Sequence, residues 1–246
     1  MIKQPSYHIF PLGDSAITLD FGNGIDEMIN RKVIDLFHSL KNEPLPGMIE
    51  AVPAYSSITI YYDIFHLRKS VSQDKTVSEW MTDQLEERMD LPLLQHDSLS
   101  RLIKIPVCYE KEFALDMEAI AKEKNISVDE VMHIHISKTY RVYMLGFLPG
   151  FPYMGEINEQ IKMPRKAQPR QRVEAGSVGI AGRQTGIYPL ASPGGWQIIG
   201  RTPLELFETS PKTSPEERAY EDSICLLQPG DEVMFYSISK NEFENY

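Results

Sequence analysis

Cysteine is scarce in this sequence: Cys108 and Cys225 are the only two among 246 residues, and no Cys-x-x-Cys pair occurs. That excludes a disulfide framework and a thiolate metal knuckle, and it fits free, mostly buried thiols in a reducing cytoplasm. Long apolar runs are missing as well. None approaches the roughly 18 residues that a bilayer span requires. Residues 1–20 carry Pro5, Pro11 and Asp14 where a secretory segment would need unbroken apolar chain. Positive charge is in short supply: 25 Lys and Arg against 35 Asp and Glu leave a net charge of −10. Such a chain is repelled at long range by nucleic-acid phosphates and anionic lipid, so neither nucleic acid nor membrane is expected as a partner. What is present is ordinary for a folded protein, 42% apolar and 24% charged, at a length suited to one large domain or two small ones.

Charge and glycine are unevenly spread. Residues 146–200 hold 6 basic and 3 acidic groups inside an otherwise acidic chain, together with 10 of the 15 glycines and 6 of the 17 prolines. Two readings stay open for this stretch. It is a set of tight hairpins, which need Gly and Pro, or it is a binding surface, because loops on a rigid scaffold carry function.

The first hundred residues alternate strand and helix patterns. Residues 16–21 have period two, with Ile17, Leu19 and Phe21 on one face. Residues 25–41 place Ile29, Val33, Leu36, Phe37 and Leu40 on the stripe of an amphipathic helix. Strands are expected over 48–52 and 57–62, then a helix from Thr76, where Thr76 and Glu79 form a capping box. Residues 90–100 break the periodicity with a proline and small polar groups, which marks a domain boundary. A strand over 101–107 and two short helices within 113–137 follow, the second capped by Ser127 and Glu130. Short strands are then expected over 140–147, 177–181, 185–188, 197–201, 223–227 and 232–237. Many short strands punctuated by Gly and Pro predict a barrel or sandwich.

The usual catalytic signatures do not form. The run from Gly176 to Gly182 is glycine-rich, but Gly186 and Pro189 follow where a phosphate-binding helix would have to start. Ser177 and Ser192 sit beside glycines, yet neither lies in a Gly-x-Ser-x-Gly elbow. His133-Ile-His135 is the only close histidine pair; at the end of a helix the two rings diverge, which favours capping or core roles over a metal. More informative is the basic strip Lys162, Arg165, Lys166, Arg170 and Arg172, kept extended by Pro164 and Pro169. It lies near Phe147, Phe151, Tyr153 and Trp196 in sequence. Aromatics with prolines and arginines are the composition of an interface or a shallow ligand cleft.

Four ordered motifs extend this pattern: Gly146-Phe-Leu-Pro-Gly-Phe-Pro-Tyr-Met-Gly155, then Pro164-Arg165 with Pro169-Arg170, then residues 176–188 ending in Gly-Ile-Tyr188, then Ser192-Pro-Gly-Gly-Trp196 continuing to Pro203. With Phe10-Pro-Leu-Gly-Asp-Ser-Ala16 near the start, they resemble the KipI/PxpB family over essentially the full chain. This is the B-type component of bacterial 5-oxoprolinase, also called the allophanate hydrolase subunit 1 type, and the family includes a Bacillus inhibitor of sporulation kinases. The resemblance implies an α+β protein, with a small N-terminal α/β domain over 1–92 and a C-terminal cyclophilin-like β-barrel over 93–246. It implies a cytoplasmic protein that works with the A and C subunits of 5-oxoprolinase to convert 5-oxo-L-proline to L-glutamate. ATP would be used by the complex, with no cofactor held by this chain alone. The alternative role in the family is binding a sensor histidine kinase and blocking its autophosphorylation. A prolyl isomerase rests on the implied barrel alone, a poor warrant for activity.

The positions that match the family's signature are His135, Tyr140, Phe147, Pro149, Phe151, Tyr153, Arg165, Arg170, Ser177, Gln184, Thr185, Tyr188, Ser192, Pro193, Gly194, Gly195, Trp196, Arg201 and Thr202. They are expected to line one cleft, with the aromatics as its floor and Arg165 and Arg170 facing a carboxylate.

Overall fold

A computed structural model of the chain describes residues 7–22, 24–90, 100–208 and 224–246. Two compact units are present, Met1–Leu99 and Ser100–Tyr246. The boundary expected between residues 92 and 93 lies outside the described residues.

The first unit is a four-stranded antiparallel sheet with helices on one face. Strands β1 (His8–Pro11), β2 (Ala16–Asp20), β3 (Met48–Pro53) and β4 (Ser57–Tyr62) lie in the order β1-β2-β4-β3. Alternation sets the faces: Ile17 and Leu19 of β2 and Ile58, Ile60 and Tyr62 of β4 are buried in one core. Helix α1 (Glu27–Asn42) supplies Val33, Leu36 and Leu40 to it, and its first turn is capped by the Asp26 side chain, which accepts from Ile29 N–H. A short helix, α2 (Ile64–Arg68), precedes α3 (Val77–Asp90). The Thr76–Glu79 capping box forms reciprocally: Glu79 N–H donates to Thr76 Oγ1 and Thr76 N–H to Glu79 Oε2.

The second unit is a closed barrel. Strands β5 (Leu102–Cys108), β6 (Thr139–Leu145), β7 (Pro152–Gly155), β9 (Ser177–Ala181), β10 (Gln184–Ile187), β12 (Gln197–Arg201) and β13 (Glu232–Ile238) run in the order β10-β7-β6-β13-β5-β12-β9, and β9 pairs with β10 to close the ring. Only β13 and β5 pair in parallel among these. Closure removes the sheet edges and lets inward residues such as Ile105, Val142, Val178 and Phe235 fill the interior. Helices α4 (Met117–Lys124) and α5 (Val128–Ile136) follow β5, the first ending on Asn125 in the left-handed conformation and the second opening with the Ser127–Glu130 capping box. A two-stranded ribbon, β8 (Arg170–Val173) with β11 (Ser192–Gly194), stands outside the barrel order, and α6 (Lys240–Glu244) follows β13. Among the described residues no helix is long and apolar enough to cross a membrane.

The strand expected over 140–147 stops at Leu145, because residues 146–151 form a turn closed by Gly146 N–H donating to Phe151 O. Residue 223 of the strand expected over 223–227 lies outside the described residues, and the remainder makes one bridge, Phe207 with Cys225. Among the described residues neither cysteine forms a disulfide, and burial pushes both thiols up.

Candidate functional site

Phe151 is the hub of an aromatic cluster on the barrel's flank. Its ring is fully buried, with Tyr188 at 5.2 Å, Trp196 at 5.3 Å, Tyr153 at 5.0 Å and Phe147 at 5.8 Å, all edge to face. That is the orientation preferred by aromatic quadrupoles, worth about 0.5–1.5 kcal/mol per pair beyond burial. Two glycines make the approach possible. A Cβ on Gly186 would stand 2.9 Å from Phe151 and 3.0 Å from Trp196, and one on Gly194 would meet the Tyr188 hydroxyl at 2.3 Å. The cluster borders a cavity of about 260 Å³ lined by Phe147, Phe151, Tyr153, Arg165, Lys166, Pro169, Tyr188, Pro193, Gly194, Gly195 and Trp196. Burial raises the Tyr153 and Tyr188 phenols, so both stay protonated at neutral pH. At Tyr188 the Trp196 backbone and the nearby arginines oppose that rise without cancelling it.

The basic segment supplies Arg165, Lys166 and Pro169 to the same cavity, and a buried carboxylate holds it there. Asp116 occupies the N-cap position of α4 but does not cap it. Its Oδ1 accepts from Lys166 Nζ at 2.9 Å and Arg170 Nη2 at 2.7 Å, while Oδ2 accepts from Ile198 N–H at 2.7 Å. Burial alone would raise this carboxyl; the hydrogen bonds from Arg170, Lys166 and Ile198 outweigh it and hold the group below the usual range. Lys166 N–H donates to Gly195 O and Gln197 Nε2 to Pro164 O, tying the same segment to the turn before β12. Arg165 is different. It is exposed at the cavity and makes no ion pair among the described residues, whereas Lys162 pairs with Glu159 and Arg172 with Glu174.

Inside the barrel lies a second polar constellation. His135 is fully buried in a triangle of rings, with Phe235 at 4.7 Å, Tyr140 at 5.3 Å and those two 5.6 Å from each other. Tyr109 Oη is 2.8 Å from its Nδ1 and Thr185 Oγ1 is 3.0 Å from its Nε2. Thr185 donates its hydroxyl proton to Gly179 O, so it accepts from His135 Nε2–H, and Nδ1 accepts from Tyr109. Desolvation lowers the His135 pKa to about 3, so the imidazole is neutral. Among the described residues no three His, Cys, Asp or Glu side chains gather to hold a metal ion.

Residues 7–216 match the family model described as the carboxyltransferase domain, subdomain C and D. The chain belongs to that family. It is 42% identical over 241 residues to the B subunit of 5-oxoprolinase from Bacillus subtilis (strain 168), a match covering 98% of this chain and 96% of that protein. It is 37% identical to the corresponding 5-oxoprolinase component of Escherichia coli O157:H7, with 91% and 93% covered. Among solved structures, conserved uncharacterized protein PH0987 from Pyrococcus horikoshii is 41% identical with a TM-score of 0.52, covering 96% of this chain and 100% of that one. The Kluyveromyces lactis urea carboxylase shares the fold at TM-score 0.69 and 22% identity; the match covers 98% of this chain and 22% of the longer one.

Of the positions matching the family signature, the structure gathers Phe147, Phe151, Tyr153, Arg165, Tyr188, Pro193, Gly194, Gly195 and Trp196 around the one cavity. The others do not line it. His135, Tyr140 and Thr185 are buried in the barrel network, with the Tyr140 hydroxyl donating to His135 O. Gln184 pairs with Ala181 in the β9–β10 ladder, and Ser177 of β9 pairs with Arg201 of β12. Thr202 N–H donates to Gly176 O, and Arg201 Nε donates to Ala175 O. Pro149 is exposed in the turn after β6, and buried Ser192 begins β11. Arg170 does not line the cavity; its Nη2 bonds Asp116 of its own chain, while its buried Nη1 has no hydrogen-bond partner among the described residues. Lys166 and Pro169 line the cavity although neither is a signature position; their only signal in the sequence is membership of the basic strip. Asp116 carries no signal beyond that of a helix cap.

Proposed function

We propose that this chain is the substrate-holding subunit of a heteromeric, ATP-dependent 5-oxoprolinase that works with the A and C subunits of that enzyme to open 5-oxo-L-proline to L-glutamate. The observation that carries the reading is Arg165, the one cation of the basic strip without an acidic partner among the described residues, standing at an aromatic-walled cavity sized for one small ring. The ring of the substrate would lie against Trp196 and Tyr153, and its carboxylate would take the planar fork of Arg165. The protonated Tyr188 hydroxyl supplies a donor for the lactam carbonyl. The 5-oxoprolinase relatives support the substrate class.

Among the described residues the cavity lining contains no carboxylate, imidazole or thiol, so this chain binds and orients while bond breaking belongs to other subunits. ATP fits the same division. Residues 176–182 form β9 and a turn into β10, where a phosphate loop would lead into a helix. The test is 5-oxoproline-dependent ATP hydrolysis by this chain alone, with the C component added, and with both the A and C components added. Turnover is expected only in the full mixture; turnover undiminished when this chain is left out would refute the assignment.

A further inference from the structure

The turn joining β6 to β7 carries a strained residue at the mouth of the cavity. Phe147 has φ of 67°, one of two non-glycine residues in the left-handed region among those described, the other being the helix-ending Asn125. Leu148 N–H donates to Gly146 O at 2.8 Å, so Phe147 is the centre of a three-residue turn with positive φ, the rare and strained form of the γ-turn. Two further bonds hold the turn, Phe151 N–H to Leu148 O at 3.0 Å and Gly146 N–H to Phe151 O at 3.2 Å. The strain is not offset by burying the side chain, since the Phe147 ring is 63% exposed. It does aim that ring: edge to face on Phe151, on the lining of the cavity. Glycine would adopt the same backbone conformation without steric strain. A large apolar side chain held exposed on a strained backbone beside a cavity is a mark of function rather than of folding.

We propose that Phe147 is a specificity-determining residue of the pocket, a fixed lip whose ring closes over the apolar edge of a cyclic ligand and discriminates against open-chain carboxylates. The inference rests on reading the cavity as the holder of 5-oxoproline's ring. A ring packed against the lip keeps its contact with little loss of freedom, whereas a flexible open-chain amide must be ordered to gain as much.

Two probes, 5-oxo-L-proline and N-acetylglycine, an open-chain amide bearing a carboxylate, are titrated into the full chain by NMR for wild type, Phe147→Gly and Phe147→Ala. Wild type is expected to prefer the cyclic probe, and both variants to lose roughly tenfold of that preference, chiefly through weaker binding of the ring. Thermal unfolding is run beside it. Phe147→Gly is expected to melt at or above wild type, and Phe147→Ala about 3 °C below Phe147→Gly, because alanine keeps the backbone strain. Equal preference in wild type and Phe147→Gly would overturn the lip and leave the pocket reading intact. Absence of 5-oxoproline binding by wild type would overturn both. A melting temperature for Phe147→Gly well below wild type would make the ring a packing element and also overturn the proposal.

Discussion

The barrel interior around His135 and the flank cavity around Trp196 are made from the same materials: aromatic rings, a polar side chain able to carry charge, and glycines that let strands approach. They differ in satisfaction. In the interior each donor has an acceptor, from Tyr109 through His135 and Thr185 to the Gly179 carbonyl, and the ring at its centre is wholly buried. At the flank, Asp116 bonds both Lys166 and Arg170, one negative charge shared by two cations, while Arg165 makes no ion pair among the described residues and lines the same cavity as the exposed ring of Phe147. A completed network stabilises and specifies a fold, while an open one is available to a ligand. On the proposed reading, the same residue types therefore serve packing in one place and recognition in the other.

The largest effect that would sharpen this contrast is on Asp116. Asp116→Asn leaves two partly buried cations without a countercharge and should cost about 3 kcal/mol, a fall of roughly 6–12 °C in Tm. Thermal unfolding at neutral pH checks it, and a change below about 2 °C would mean that Asp116 is not what holds the basic segment. Next is the pH dependence of the interior. His135 stays neutral when folded down to about pH 3 but takes up a proton near 6.5 when unfolded, so the unfolded chain binds more protons in that window. Stability therefore rises with pH there and is lost on acidification, by about 3 kcal/mol between pH 6.5 and pH 4 from this group. Denaturant titrations of wild type and His135→Gln across that range should show a shallower fall in the variant, which starts from lower stability at neutral pH. Parallel slopes would break the picture of a neutral core histidine. The smallest stability effect is expected at Arg165. Arg165→Ala should leave Tm within about 1 °C of wild type, whereas Arg170→Ala should lower it by several degrees because Asp116 loses its bond to Nη2.

Much of the architecture could be read from periodicity. The stripe of α1, the alternation of β2 and β4, and both expected capping boxes needed only local information. Strands β7, β8 and β11 are three or four residues long and include or adjoin Pro and Gly, so no period could build up, and α2 has only five residues. The aromatic and arginine content of residues 147–196 suggested a binding surface, yet sequence could not divide the arginines. The carboxylate that bonds Arg170 Nη2 stands 54 positions away in a residue that reads as a helix cap. His135 shows the same limit in reverse. A histidine matching a family signature was expected in the cleft, and only its full burial against Tyr140 and Phe235 shows it belonging to the core.

The central claim is that Arg165 and the rings beside Trp196 form one binding site for a small cyclic carboxylate. It is tested most directly by titrating 5-oxo-L-proline into the chain while following the Trp196 indole N–H resonance, with Trp80 of the N-terminal unit as internal control. A saturable shift of Trp196 alone, weakened about tenfold or more in Arg165→Ala, is the predicted result. No shift at Trp196, or an identical titration in the Arg165 variant, would contradict it.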